Sequence, residues 1–177
     1  MNIVLTGFMT SGKTTVGTAL SGRLNYLFID TDCAVEHKYG MSISDIFKSF
    51  GEEHFRKLES ETIAELSEYD NCIISTGGGA VLRSENIDML RKNGKIVNLA
   101  PDFEVIAARI EEAAKTRPLM NGRSISEIKE LFDKRRKYYD NCDFKIRITQ
   151  EMSVDDCVNE IIILTDAKIK NRKDCIQ

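Results

Sequence analysis

The run Gly7, Phe8, Met9, Thr10, Ser11, Gly12, Lys13, Thr14 fits the pattern GxxxxGK[ST]. Glycines let such a loop curl until several backbone N–H groups point at one phosphate. The N-terminus of a following helix adds positive dipole. Lys13 can reach the β- and γ-phosphates of a nucleotide, and the Thr14 hydroxyl can ligand Mg²⁺. A glycine turn that merely precedes a helix is the bland alternative, but it does not account for Lys and Thr both standing at the helix start. The pattern speaks for nucleotide phosphate and says little about an acceptor.

Asp30 and Asp32 flank Thr31 at the end of a second apolar run. Ligands of open α/β sheets bind outside the carboxyl ends of the strands. Two carboxylates near a phosphate loop can divide the work. One can support a metal while the other accepts a proton, or a hydrogen bond, from an attacking hydroxyl. In an extended chain residues two apart point the same way, so both carboxylates can face the site. Capping of the next helix is an equal reading of either aspartate. A third run ends in Ser75, Thr76 and the triplet Gly77, Gly78, Gly79. Three glycines allow close approach to a ligand or positive φ. Arg56, within Phe55-Arg56-Lys57-Leu58-Glu59, reads on spacing alone as part of a solvated helix face. So does the basic run Arg135, Arg136, Lys137 before Tyr138 and Tyr139. Arg117, beside Pro118 in a polar connection, can swing onto a transferred phosphate. His37 and His54 are isolated, with no metal-ligand spacing, and nothing near Cys33 marks it as a nucleophile.

Positioning these residues calls for a frame in which short apolar runs alternate with helical patterns. Strands are predicted at residues 2–6, 26–29, 72–75, 95–99 and 144–148. Helices are predicted at 14–24, 32–39, 43–50 with Ser42 as cap, 52–69, 84–93, 102–114, 124–139 and 153–165. Such alternation indicates an α/β fold, a parallel sheet covered on both faces. Residues 31–69 exceed a simple crossover and read as an inserted acceptor-binding lobe; 115–123 read as a lid, and 168–177 as a frayed polar tail.

The chain's 177 residues suit one domain. With 42% hydrophobic and 30% charged residues its composition is that of a soluble globular protein. A net charge of −3 gives no reason to expect nucleic acid or membrane as a partner. The five cysteines are odd in number, widely spaced and without a CxxC pair, which argues against a zinc knuckle or a disulfide framework and for a cytoplasmic location. The apolar run at the N-terminus is too short for a signal peptide, and no run is long enough to span a bilayer.

In chain order, GFMTSGKTT, FIDTD, FRKLE, STGGGAV, RPLM and RRKYYDNCD resemble the shikimate kinase family from residue 1 to about residue 164. The resemblance implies a P-loop NTPase three-layer sandwich of the nucleoside-monophosphate-kinase type, with a five-stranded parallel sheet in the order 2-3-1-4-5. It implies transfer of the ATP γ-phosphoryl group to the 3-hydroxyl of shikimate, giving shikimate 3-phosphate and ADP, in chorismate and aromatic amino-acid biosynthesis. It also implies Mg²⁺ as cofactor and a monomer whose partners are ATP and shikimate. By resemblance, Gly7, Ser11, Gly12, Lys13, Thr14 and Thr15 hold ATP, Arg109 stacks on adenine and Arg117 is the lid arginine. Lys13, Asp32 and Arg117 are the catalytic set. Thr14 and, through water, Asp30 serve the metal. Asp32, Arg56, Gly77, Gly78, Gly79 and Arg135 bind shikimate. A guanidinium fork matches the one carboxylate of shikimate as lysine cannot, which lifts Arg56 and Arg135 above the solvated-face reading.

Two departures stand out. Thr10 occupies a position where the family commonly has glycine, and a small backbone adjustment is expected. The RRKYY run lacks the proline often found between the family's arginine and tyrosine. Arg135, four residues before Tyr139, keeps the family spacing, whereas Arg136 is one residue off. The competing readings are a gluconate or nucleoside monophosphate kinase and a non-catalytic nucleotide switch.

Overall fold

The computed structural model describes residues 1–116 and 124–169. Asn2–Thr6 (β1), Leu27–Asp30 (β2), Cys72–Ser75 (β3), Gly94–Pro101 (β4) and Phe144–Ile148 (β5) form one sheet in the order β2-β3-β1-β4-β5. Every pairing is parallel. The helices are α1 (Lys13–Leu24), α2 (Thr31–Tyr39), α3 (Ile43–Ser67), α4 (Ser84–Arg91), α5 (Phe103–Thr116), α6 (Ile125–Tyr139) and α7 (Val154–Thr165). This is the α/β sandwich and strand order that the resemblance implies.

Side chains alternate across the strands. Ile3, Leu5, Ile73, Val97 and Leu99 meet Val16, Leu20 and Leu24 of α1 and Val158 and Ile161 of α7. Val4, Ile74 and Ile96 belong to a second core with Ile63, Leu66, Ile87, Leu90, Ile106 and Ile128. With a core on each face, the central strands have no solvent side. They therefore read as unbroken apolar runs rather than as alternation.

Strand β4 is longer than its predicted span because it has two partners at different offsets. It pairs with β1 from Gly94 to Asn98 and with β5 from Val97 to Pro101. Strand β2 begins one residue later than expected, since Asn25 turns left-handed at the end of α1 and the Tyr26 carbonyl accepts from the Ser21 hydroxyl. Helix α3 is continuous in outline but breaks at Gly51, where φ is 82° and ψ 174°. That break is the gap between the two predicted helices. Ser42 caps the first part, its hydroxyl accepting from the Asp45 N–H at 3.1 Å. Between β2 and β3, α2 and α3 close over a small core of their own, built on Val35, Ile46, Phe55 and Leu58. Among the described residues no helix is long and apolar enough to cross a membrane.

Candidate active site

The turn from β1 into α1 carries the phosphate-loop pattern. Gly7 has φ 148°, and a Cβ there would lie 2.6 Å from the Leu99 carbonyl and from the Ser11 hydroxyl. Gly12 caps α1 in the left-handed region, with φ 98°. Both positions therefore require glycine. Lys13 Nζ donates to the Gly7 carbonyl at 2.8 Å and to the Phe8 carbonyl at 3.1 Å, folding back over the loop. Burial brings its pKa down to about 8, with Asp30 and Asp32 opposing that shift. An anion placed in the loop would restore the charge that burial disfavours. Thr14 and Thr15, exposed at the helix start, open onto a cleft of about 470 Å³ with Ser11, Gly12 and Lys13. Arg109 and Val154 also line it, giving it a guanidinium plane and an apolar wall suited to a flat base.

Thr10 does not adjust away from the glycine conformation; it adopts it, with φ 58°. Arg109 holds it there, donating to the Thr10 carbonyl at 2.8 Å. The Thr10 hydroxyl is buried with no hydrogen-bond partner. A side chain in the left-handed region costs about 1–2 kcal/mol, and glycine's extra freedom when unfolded takes back about 0.4–1 kcal/mol. Thr10→Gly should therefore raise stability by about 0.5–1 kcal/mol, or a few degrees in Tm, by thermal denaturation. A lowered Tm would show that the threonine is not strained.

Asp30 and Asp32 turn out to be different groups. Asp30 caps α2: one oxygen accepts from the N–H groups of Asp32 and Cys33 at 3.0 and 3.3 Å, and the other accepts from the Ser75 hydroxyl at 3.2 Å. Asp32 is not part of the strand, because α2 begins at Thr31. The pair is therefore arranged by the capping turn, and the strand alternation invoked for it does not apply. Asp32 lies against Gly77, where a Cβ would collide with its Oδ1. Burial raises the Asp32 pKa, Asp30 and Glu36 raise it further, and Lys13 and Arg56 oppose. Between the aspartates, the buried Thr31 hydroxyl accepts from the Gly77 N–H at 2.9 Å.

None of the three glycines of the triplet has positive φ; packing explains Gly77 and Gly79, while Gly78 has room for a Cβ. Gly77 admits Asp32 and Glu59, the latter with Oε1 3.0 Å from where a Cβ would be. Gly79 lies directly under the Arg56 guanidinium. Gly78 sits between the phosphate loop and α6, a Cβ there being 3.9 Å from the Met9 nitrogen and 3.8 Å from the Tyr139 hydroxyl. Arg56 is not a solvated side chain. It donates to Glu59 at 2.7 Å and to Glu52 at 3.1 Å. Glu59 is 1% exposed, and its second oxygen has no partner. Burial raises the Glu59 pKa, with Arg56 opposing and Asp32 adding.

Lys13, Asp32, Arg56 and the three glycines thus come together. Arg135 lies beside the Tyr139 hydroxyl, which donates to the Gly78 carbonyl. Arg136 instead lines a larger cleft of about 600 Å³ with Phe103, Phe132 and Lys129. Arg117 and most of the 115–123 connection lie outside the described residues, as does most of the 168–177 tail. His54 stacks on Phe50, and among the described residues no group of three or more His, Cys, Asp or Glu side chains is gathered as for a metal. Sequence reasoning missed Thr31, Glu59 and the tie from Tyr139 to Gly78. The spacing of Glu52, Arg56 and Glu59, four and three residues apart on one helix face, was the available signal for the second of these.

The sequence model of the shikimate kinase family matches residues 9–165. The chain is 43% identical over 162 residues to the shikimate kinase of Caldicellulosiruptor bescii, covering 89% of this chain and 94% of that one. The crystal structure of shikimate kinase from Aquifex aeolicus superposes with a TM-score of 0.77 at 40% identity, covering 92% of this chain and 94% of that one. Shikimate kinase from Acinetobacter baumannii, solved in complex with shikimate, gives a TM-score of 0.82 at 31% identity, covering 96% of this chain and 95% of that one.

Proposed function

We propose that this chain, which belongs to the shikimate kinase family and is a phosphotransferase, moves the γ-phosphoryl group of ATP to the 3-hydroxyl of shikimate. The observation that carries the reading is the meeting of three groups on three successive glycines. A carboxylate with a raised pKa lies on Gly77, the phosphate loop on Gly78 and a guanidinium on Gly79. A switch that only bound nucleotide would have no use for the first and third.

In this reading ATP takes the cleft bounded by Gly7, Ser11, Gly12, Lys13, Thr14, Thr15 and Arg109, its adenine between Arg109 and Val154. Lys13 neutralises phosphate charge, and Arg117 meets the transferred group. The Asp32 carboxylate orients the acceptor hydroxyl and takes its proton, while Arg56 and Arg135 hold the acceptor carboxylate. Residues 31–69 form the acceptor lobe, 115–123 the lid and 168–177 a tail.

The polar groups present suit Mg²⁺. Thr14 lines the cleft, and the three hydrogen bonds that Asp30 accepts leave about one of its four lone-pair sites, enough for a water but not for a chelate. That matches a cation that keeps several of its waters. Bound there with ATP, Mg²⁺ would spread the charge of the β- and γ-phosphates. A monomer acting in the cytoplasm, with no nucleic acid or membrane partner, completes the reading.

A coupled ADP assay with ATP, Mg²⁺ and shikimate, and with quinate as control, tests it. ADP release should depend on shikimate. A slow background indifferent to shikimate would favour the switch, and a response to gluconate or a nucleoside monophosphate would favour another kinase. Within the same assay Arg56→Lys should raise the shikimate KM by about 10–100-fold, the worth of a charge-assisted hydrogen bond of about 1.5–3 kcal/mol. ATP affinity should hold. A fall in ATP affinity at constant shikimate KM would put Arg56 in the wrong pocket.

A further inference from the structure

We propose that Tyr139 is a positioning residue of the acceptor pocket, its hydroxyl tying the Gly78 carbonyl to α6 and steadying the Arg135 guanidinium one helical turn away. The proposal rests on the shikimate kinase reading above and adds to it a residue that does not touch substrate.

Tyr139 donates to the Gly78 carbonyl at 2.5 Å, across 61 residues of chain. Its ring is 5% exposed and belongs to the core that also holds Phe8 and Ile128. A phenylalanine would fill that space equally well, so packing alone does not call for the oxygen. Arg135 and Tyr139 are four residues apart on α6 and share one face. The phenol has one proton to give and lone pairs with which to accept. Its proton goes to Gly78, and its lone pairs are left for the neighbouring Arg135. Burial pushes the phenol pKa up to about 12, with Arg135 and Arg56 opposing, so the hydroxyl stays a donor throughout the neutral range.

The tie acts on the pocket through the glycine turn. The 78–79 peptide is planar and trans, so the Gly78 carbonyl and the Gly79 N–H point in opposite directions. Drawing the carbonyl towards α6 aims that N–H the other way. Gly79 is also the residue beneath Arg56, and Gly78 the one beside Met9 of the phosphate loop. One hydroxyl thereby sets the place of Arg135 directly, and of the turn that lies beneath Arg56 and abuts the phosphate loop.

Tyr139→Phe removes the oxygen and keeps the ring. The shikimate KM should rise about tenfold, the equivalent of one such hydrogen bond, while the ATP KM stays within about twofold. Because one of the two routes runs through Arg135, the Tyr139→Phe effect on shikimate KM should be clearly smaller in an Arg135→Ala background than in the wild type. A tyrosine that served only the core would lower Tm, leave the shikimate KM in place, and combine independently with Arg135→Ala. An unchanged shikimate KM in a folded Tyr139→Phe enzyme overturns the proposal. So do independent effects in the double variant, and so does a Tyr139→Phe chain that circular dichroism shows to be unfolded. Wild-type enzyme without shikimate-dependent ADP release overturns the underlying reading and this inference with it. An active wild type beside an unaffected Tyr139→Phe overturns the inference alone.

Discussion

Lys13→Ala should lower kcat by about 10²–10³-fold or more while leaving the protein folded. Phosphoryl transfer is catalysed mainly by positioning and charge neutralisation, and loss of one preorganised donor in such a site costs about that much. In the proposed reading Lys13 supplies both. Its ammonium, drawn over the Gly7 and Phe8 carbonyls, also holds the loop's shape. The fold should survive because the loop's backbone turns are fixed by Gly7 and Gly12, and α1 is packed through Val16, Leu20 and Leu24. Loss of the cation has a second consequence. Lys13 is one of the groups that hold the Asp32 pKa down, so whatever activity remains should need a higher pH than the wild type does. Steady-state rates as a function of pH, with circular dichroism as the fold control, check both points. Wild-type kcat in the alanine variant would remove the loop from the chemistry.

Asp32→Asn should lower kcat by about 10²-fold and weaken shikimate binding, at unchanged demand for Mg²⁺. General-base assistance is worth about 10²–10⁴-fold, and a loose phosphoryl-transfer transition state asks for little deprotonation of the nucleophile, which favours the lower end. Asparagine keeps the size beside Gly77 but cannot take a proton. The sign of the pH effect follows from the raised pKa. A base works only when ionised, so the acid limb of the wild-type rate should lie above the ordinary carboxylate range, and the rate should fall as pH drops through it. That limb should vanish in Asp32→Asn. Asp30→Asn should behave differently. Asparagine still caps α2, but the water-mediated support proposed for the metal should weaken, so more Mg²⁺ should be needed for half-maximal rate. Full kcat for Asp32→Asn at saturating shikimate would reduce Asp32 to a binding group. The same metal response in both variants would mean that the pair is one metal site.

Much of this was legible in the chain itself. The spans of β1, β3 and β5 could be read to the residue: β1 and β3 are short apolar runs, and β5 alternates Phe144, Ile146 and Ile148 with Lys145 and Arg147. Ser124 and Ser153, the first residues of two predicted helices, are in the structure their N-caps, each closed into a capping box by a carboxylate three residues on. The ends of β4 were not legible, since they depend on two partners at different offsets. In the site, the phosphate loop could be read because its backbone demands glycine at fixed places. The glycine triplet was visible as a signal, but its cause was not. Its neighbours come from α2, α3 and α6, and no local pattern announces that Gly77 receives Asp32 while Gly79 receives Arg56. The spacing of Asp30 and Asp32 suggested two side chains on one strand face, whereas the helix begins between them. Arg56 looked like surface because a helix-period charge pattern looks the same whether it meets water or a buried Glu59.

The most direct measurement follows the phosphorus. Enzyme, ATP, Mg²⁺ and shikimate are mixed and read by ³¹P and ¹H NMR, with parallel samples lacking shikimate or containing Lys13→Ala protein. A phosphomonoester signal coupled to the proton on C3 of shikimate should grow as the γ-phosphate of ATP disappears, in step with ADP and only in the complete wild-type sample. Growth of inorganic phosphate at the same rate with and without shikimate, with no phosphomonoester signal, would contradict the assignment of shikimate as the acceptor.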